Sequence, residues 1–290
     1  MSGSVCGAAH FRVDGMDDRK KTTQEDTVQE ERVQEQIPQE QIVQEGTVQE
    51  DTVQEDTVQE GTTQMHVIAR IYTDFPEKFG IPRQSGLVEQ LTGYLVFEPQ
   101  YRVKEACKGI EEYSHLWLIW GFSQTQRRSW SPLVRPPRLG GNTKAGVFAT
   151  RSPFRPNPLA LSCVRLEEVI LDKRFGTVLK VSGIDMVNKS PVYDIKPYLS
   201  YCDSHPDAVC GFADRVLSHA LHVVMPQEIA SRLDDRSRQA IEGILSQDPR
   251  TAYVKEESRI WGITYAGWNI RFRVSGDTLF VTQLCRENRE

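Results

Sequence analysis

From Tyr113 to Leu166 the chain carries no Asp or Glu, while Arg127, Arg128, Arg135, Arg138, Lys144, Arg151, Arg155 and Arg165 supply eight cations. A solvated face ordinarily mixes both signs, and 26% of the whole chain is charged. Such one-sidedness points to an anionic ligand, and nucleic acid binds proteins through phosphate contacts of this kind. Docking of another domain or of an acidic segment is the competing explanation. The cations sit among prolines in two segments, Ser131–Asn142 (SPLVRPPRLGGN) and Arg151–Pro158 (RSPFRPNP). Proline fixes φ and shrinks the unfolded ensemble, so guanidinium groups on these loops lose little further entropy on gripping phosphate. A polyproline ligand for an SH3 or WW module is a weaker reading, because both segments lie between core strands.

Other residues could add chemistry. Pro82-Arg83-Gln84-Ser85-Gly86 forms a loop between the first two strands, where a backbone turn could approach a small ligand. Val192–Leu199 (VYDIKPYL) sets Asp194, Lys196 and Tyr198 at alternate positions, hence on one face when extended, with Ile195 on the other. An acid, a cation and a phenol there either converge on a ligand or form a structural ion pair. Asp248–Tyr253 (DPRTAY) is either a helix stop or a lip carrying Arg250 and Tyr253. His219 and His222 stand three apart without an H-E-x-x-H frame or a third ligand, so no metal site is expected. His115 reads as a structural histidine, and Trp117, Trp120 and Phe122 read as core. Gly140-Gly141 is a lone pair, and no strand runs into G-x-G-x-x-G and a helix, which disfavours a Rossmann cofactor site.

The elements that must position these residues are mostly strands. Alternating or β-branched runs mark His66–Tyr72, Gly93–Glu98, Leu116–Phe122, Gly146–Thr150, Leu159–Ile170 and Thr177–Ile184, with turn residues at short intervals. A helix is expected over Val103–Tyr113. Few helices intervene, so the pattern favours an antiparallel barrel or sandwich over a doubly wound sheet. Further on, Gln227–Leu245 has helical spacing behind Pro226, and Trp261–Tyr265, Trp268–Val274 and Leu279–Leu284 alternate as three strands. The expected organisation is a tail over residues 1–65, a mainly β domain over 66–205 and a small α+β domain over 206–290.

Charge separates the tail from the rest. Through Met65 there are 15 acidic and 5 basic residues, a net of −10, which leaves 30 basic and 25 acidic residues and a net of +5 beyond it. Gln-Glu recurs every five residues from Gln24 to Glu60, with Val at 28, 33, 43, 48, 53 and 58. Five helical residues turn each Val by roughly 140° from the last, so no apolar stripe forms. On a strand an odd period sends successive Val to opposite faces. Asp51 and Asp56 exclude a pentapeptide solenoid, whose interior could not bury them unpaired. The segment therefore reads as a disordered acidic extension, either passive or a docking arm for an unidentified partner. Cysteines at 6, 107, 163, 202, 210 and 285 lack C-x-x-C spacing and fit reduced thiols of a cytoplasmic protein. No apolar run approaches the roughly 20 residues of a membrane-spanning helix.

Six ordered motifs resemble the TsaA-like (TrmO) family: IPRQSGLV at 81–88, YSHLW at 113–117, VRPPRLGGN at 134–142, GVFATRSPFRPNP at 146–158, PVYDIKPYL at 191–199 and QDPRTAY at 247–253. The resemblance spans about Val67 to Leu284. It implies a non-Rossmann β-barrel, usually dimeric, with a small C-terminal domain in bacterial members. The implied activity is S-adenosylmethionine-dependent methylation of N6 of threonylcarbamoyladenosine at position 37 of the tRNA anticodon loop. A non-catalytic RNA- or nucleotide-binding barrel is the alternative. By resemblance the methyl donor lies against Pro82, Arg83, Gln84, Ser123, Gln124, Arg151, Leu161 and the turn Ser182, Gly183, Ile184, Asp185. Asp194 oriented by Lys196 is the expected base, with Tyr198 or Tyr253 next. Arg127, Arg128, Arg135, Arg138, Lys144, Arg155 and Arg250 are expected on RNA, with Arg155 or Arg250 reaching the threonyl carboxylate. Ser123 stands where many members of the family have His, which leaves one donor-site hydrogen bond open, and Thr251 replaces a Pro, loosening its loop.

Overall fold

A computed structural model describes residues 62–124, 130–136, 139, 143–214, 220–250, 256 and 258–286. The acidic repeat therefore lies outside the described residues. Six strands close into a barrel: β1 (Ala69–Thr73), β2 (Thr92–Phe97), β3 (His115–Gly121), β6 (Leu159–Asp172), β7 (Gly176–Ser182) and β8 (Ser190–Pro197), in the order β1-β2-β7-β6-β3-β8. Every pair is antiparallel, and β8 returns to β1 through Ala69 opposite Val192. Closure leaves no unpaired edge. The period of two decides what faces inward: Ile71, Leu95, Leu116, Leu118, Val164, Leu179, Val181 and Val192 are all buried. Between β3 and β6 stands a hairpin of two short strands, β4 (Leu133–Val134) and β5 (Ala145–Gly146).

A second sheet follows, with β10 (Trp261–Tyr265), β11 (Trp268–Ser275) and β12 (Thr278–Arg286) as an antiparallel meander. Strand β9 (His222–Val224) adds parallel to β12. Three short helices complete the described chain, α1 (Ser200–Asp203), α2 (Gln227–Ala230) and α3 (Asp235–Ser246). The expected boundary at residue 205 falls between α1 and β9. One continuous apolar cluster joins barrel residues such as Ile71 and Leu95 to Ile241, Trp261, Ile263 and Phe272 of the C-terminal part.

Local details depart from the expected elements for identifiable reasons. Val103–Tyr113 is no helix but two 3₁₀ turns, Lys104–Cys107 and Ile110–Glu112, because Gly109 between them takes φ +86. The helix expected over Gln227–Leu245 is broken into α2 and α3. Asp234 starts the second piece, its carboxylate accepting from the Ser237 backbone N–H at 2.9 Å. Gly146–Thr150, expected as a strand, is a 3₁₀ turn over Val147–Ala149 beyond the end of β5. Residues 66–68 precede rather than open the first strand.

Candidate functional site

A cavity of about 560 Å³ opens beside the barrel, where the β1–β2 loop meets β3, β6 and the segment after β7. Of the donor-site residues named by resemblance, Pro82, Arg83, Gln84, Ser123, Gln124, Arg151, Leu161 and Asp185 line it. Ser182, Gly183 and Ile184 are not among its lining. Ser182 and Ile184 are buried, Ser182 Oγ donating to Glu167 at 2.5 Å. Gly183, at φ +72, donates to the Leu91 carbonyl and accepts from the Gly86 N–H, each at 2.8 Å. A Cβ on Gly183 would meet Gly86 at 3.3 Å, so two glycines let the two turns interlock.

The floor is polar in a way the sequence did not announce. Trp120 Nε1 donates to Ser162 Oγ at 2.9 Å, and Ser162 Oγ donates to Asp185 Oδ1 at 2.6 Å. Trp120 thus serves both the core and the cavity wall, and Phe122 lines the cavity too, where both were expected as plain core. Trp117 is half-buried, its indole donating to Asp203 Oδ2 at 2.9 Å and so fastening α1 to β3. Burial pushes the Asp185 carboxyl up to about 6, against the Ser162 hydrogen bond and the Arg151 charge, which pull it down. Above that value the cavity has an anionic floor.

The rim is cationic. Arg151 donates to the Gln84 side-chain carbonyl, which links the proline-rich segment to the β1–β2 loop. Gln124 Nε2 reaches the Pro76 carbonyl at 3.3 Å. Arg155 lines the same cavity, and an adjoining groove of about 1100 Å³ is lined by Arg135, Lys144 and Arg250. Arg250 is paired already, its guanidinium forking onto Asp248 at 2.8 and 2.9 Å. Arg127, Arg128, Arg138, Tyr253 and His219 lie outside the described residues.

The described residues expected as acid–base groups do not gather at the cavity. Asp194, Lys196 and Tyr198 are not among its lining. Asp194 is committed to Lys196 Nζ at 2.8 Å and to the Ile195 N–H at 2.9 Å, while Tyr198 packs on Trp117 and His115. The spacing alone left an ion pair and a convergent site equally open, and the Asp194–Lys196 pair is compatible with both, being also the contact by which Lys196 was expected to orient Asp194. A register shift between Ile119 and Trp120 lies beside it, where β8 pairs Asp194 with Ile119 but Val192 with Trp120. Ser162 was missed altogether, since one Ser in an alternating strand carries no signal; its partner Asp185, on a separate turn, was reached only through the resemblance. His115 Nδ1 lies 2.9 Å from Ser114 Oγ.

Comparison with known proteins places these features in one lineage. The family model described as tRNA-methyltransferase O N-terminal domain matches residues 70–204, and that of the TrmO C-terminal domain matches residues 218–287. The tRNA (adenine(37)-N6)-methyltransferase of Escherichia coli is 43% identical over 222 residues, covering 73% of this chain and 93% of that protein. A putative S-adenosylmethionine-dependent methyltransferase of Pseudomonas aeruginosa is 41% identical, covering 68% of this chain and 86% of its own length. The crystal structure of TrmO from Pseudomonas aeruginosa superposes with a TM-score of 0.61 at 32% identity, over 77% of this chain and 99% of that one. The two family models together cover the barrel and the appended sheet, and the chain belongs to the tRNA-methyltransferase O family.

Proposed function

We propose that the protein methylates N6 of adenosine 37 in tRNA, with threonylcarbamoyladenosine as the target nucleoside and S-adenosylmethionine as the methyl donor. The observation that carries this reading is the convergence of eight residues expected at the donor, from five separate stretches of chain, on one cavity. Its donor set fits such a ligand. An apolar wall that includes Ile81, Phe122 and Leu161 suits an adenine ring, Asp185 suits a positive centre, and Arg83 and Arg151 suit a carboxylate. The volume lies within the roughly 300–1,000 Å³ usual for such sites.

When bound, S-adenosylmethionine supplies a methyl group made electrophilic by its sulfonium. The chain's own task is alignment. Asp185, fixed by Ser162, offers charge from the floor, and the Arg151–Gln84 link holds the β1–β2 loop against the rim. Holding reactants in line can lower a barrier by roughly 7–11 kcal/mol. Arg135, Lys144 and Arg155 provide cations for the phosphates and the threonyl carboxylate, and the stem-loop presents a base that can be splayed from its stack. No proton-transfer step is assigned to Asp194, since its carboxylate is held by Lys196 outside the cavity. The resemblance implies a homodimer, and the cysteine spacing fits a cytoplasmic setting.

The test is mass spectrometry of nucleosides from threonylcarbamoylated tRNA incubated with the protein and methyl donor. A gain of one CH2 on that nucleoside is expected. Donor-independent binding of tRNA without that gain would refute the reading.

A further inference from the structure

The β4–β5 hairpin presents an apolar surface for which the donor cavity has no use. Trp130 is 50% exposed, Leu133 52% and Phe148 75%. The rings of Trp130 and Phe148 lie with centroids 6.5 Å apart and planes 25° apart, a stacked arrangement. Elsewhere the exposed large hydrophobics, such as Val103, Leu171 and Ile260, sit on separate elements. The hairpin is firmly seated. Val134 and Val147 are buried beneath it, the Ser131 N–H donates to the Phe154 carbonyl at 3.2 Å, and the Val147 N–H donates to the Pro132 carbonyl at 3.0 Å. Two exposed rings on a braced frame are pre-ordered to receive something flat.

Charge decides between occupants. Trp130 lies in sequence between Arg127–Arg128 and Arg135, and Phe148 between Lys144 and Arg151, with no acid anywhere from Tyr113 to Leu166. Leu133 shares its groove with Arg135, Lys144 and Arg151. A second copy of the same surface, related by a twofold axis, would press cation against cation. A single-stranded nucleic acid satisfies both features at once, its phosphates taken by the cations and its bases by the rings.

We infer that Trp130 and Phe148 form a stacking platform for unpaired bases of the substrate RNA, placed outside the methyl-donor cavity. The inference rests on the tRNA reading above. It assigns the platform to the neighbours of the target base, because the hairpin adjoins the Arg151–Arg155 segment that lines the cavity itself. Stacking against aromatic side chains is tolerant of base identity, so the platform contributes affinity and register more than sequence choice.

The experiment uses the full chain and a synthetic tRNA anticodon stem-loop, with binding measured over a range of salt. Trp130→Leu and Phe148→Leu keep apolar bulk and remove the ring faces, and Trp130→Phe restores one. Each Leu variant should weaken stem-loop binding by about tenfold, with the salt slope unchanged because the phosphate contacts remain. Donor binding by calorimetry and the thermal transition should match the parent, and Trp130→Phe should recover most of the affinity. Unaltered stem-loop binding in the Leu variants would overturn the platform. So would loss of binding accompanied by a change in oligomeric state by light scattering, which would make the surface a contact between copies. A parent protein that binds donor but neither binds nor methylates the stem-loop would instead overturn the tRNA reading itself.

Discussion

Ser162 sits between an indole N–H and a buried carboxylate, and its single hydroxyl serves both. Its hydrogen bond favours the ionised form of Asp185, so removing it raises that group further above the usual carboxylate range. We expect Ser162→Ala to weaken S-adenosylmethionine binding most around pH 6, with the acid limb of donor affinity moved to higher pH, and Ser162→Thr to restore it. Calorimetry across pH checks this. Asp185→Asn makes a companion test through stability. The folded carboxyl is raised to about 6 from 3.8, so between those values the unfolded chain holds fewer protons than the folded one. Stability from this group therefore falls as pH rises through that window and stays low above it. Two units correspond to at most about 3 kcal/mol. The Asn variant should thus lose donor binding yet melt higher above pH 6, with the gain vanishing in acid.

At the scale of elements, the C-terminal sheet acts on the cavity by bracing the long β1–β2 loop. Phe75 packs on Tyr265 with ring centroids 5.0 Å apart and Phe79 stacks on Trp261 at 6.3 Å. The Ala266 N–H donates to the Asp74 carbonyl at 3.1 Å, and a Cβ on Gly80 would meet Ile263 at 3.0 Å. Burial raises the Asp74 carboxyl, opposed by the charge of Arg236, and burial followed by Asp74 raises the Tyr265 phenol, so the seam is partly polar and tightly closed. Helix α3 touches the same loop through Gly243, where a Cβ would come within 2.6 Å of Val88 Cγ1. Val88 is buried and β-branched, so it has little room to turn away. Gly243→Ala should therefore destabilise by up to about 2 kcal/mol, an overpacking cost of about 1–3 partly offset by the roughly 1 kcal/mol gain in helix propensity. Urea denaturation measures that loss, and weaker donor binding in the same variant would report the loop's dependence on the sheet.

For the whole molecule, the opposed charges of tail and body govern approach to a polyanion. Removing residues 1–64 takes the net charge from −5 to +5, since that segment carries all 15 acidic and 5 basic residues counted through Met65. Association with tRNA should quicken at low ionic strength, with the difference fading as the Debye length shrinks below about 10 Å. Stopped-flow association rates at several salt concentrations test this. Within the body, Arg135→Ala combined with Lys144→Ala should reduce the slope of log affinity against log salt by about 2, one for each phosphate no longer neutralised by the protein.

The closed barrel was legible in outline because short alternating strands state their own period, and a barrel is how such strands avoid edges. The acid-free stretch was equally plain, since charge is a property of composition, and the ordered motifs pointed to the family and, through it, to the residues expected at the methyl donor. Strand pairing was not legible. Asp194 and Lys196 share a face whether they serve a ligand or each other, and only the folded barrel shows that neither lines the cavity. Ser162 and Asp185 are 23 positions apart and meet through the fold. The bracing of the β1–β2 loop depends likewise on Ile263 and Trp261, which lie far along the chain. The sequence by itself determined what each residue type can do and the local period of each element. Which groups end within hydrogen-bond reach was decided by long-range packing, because register and closure are collective properties that no local window contains.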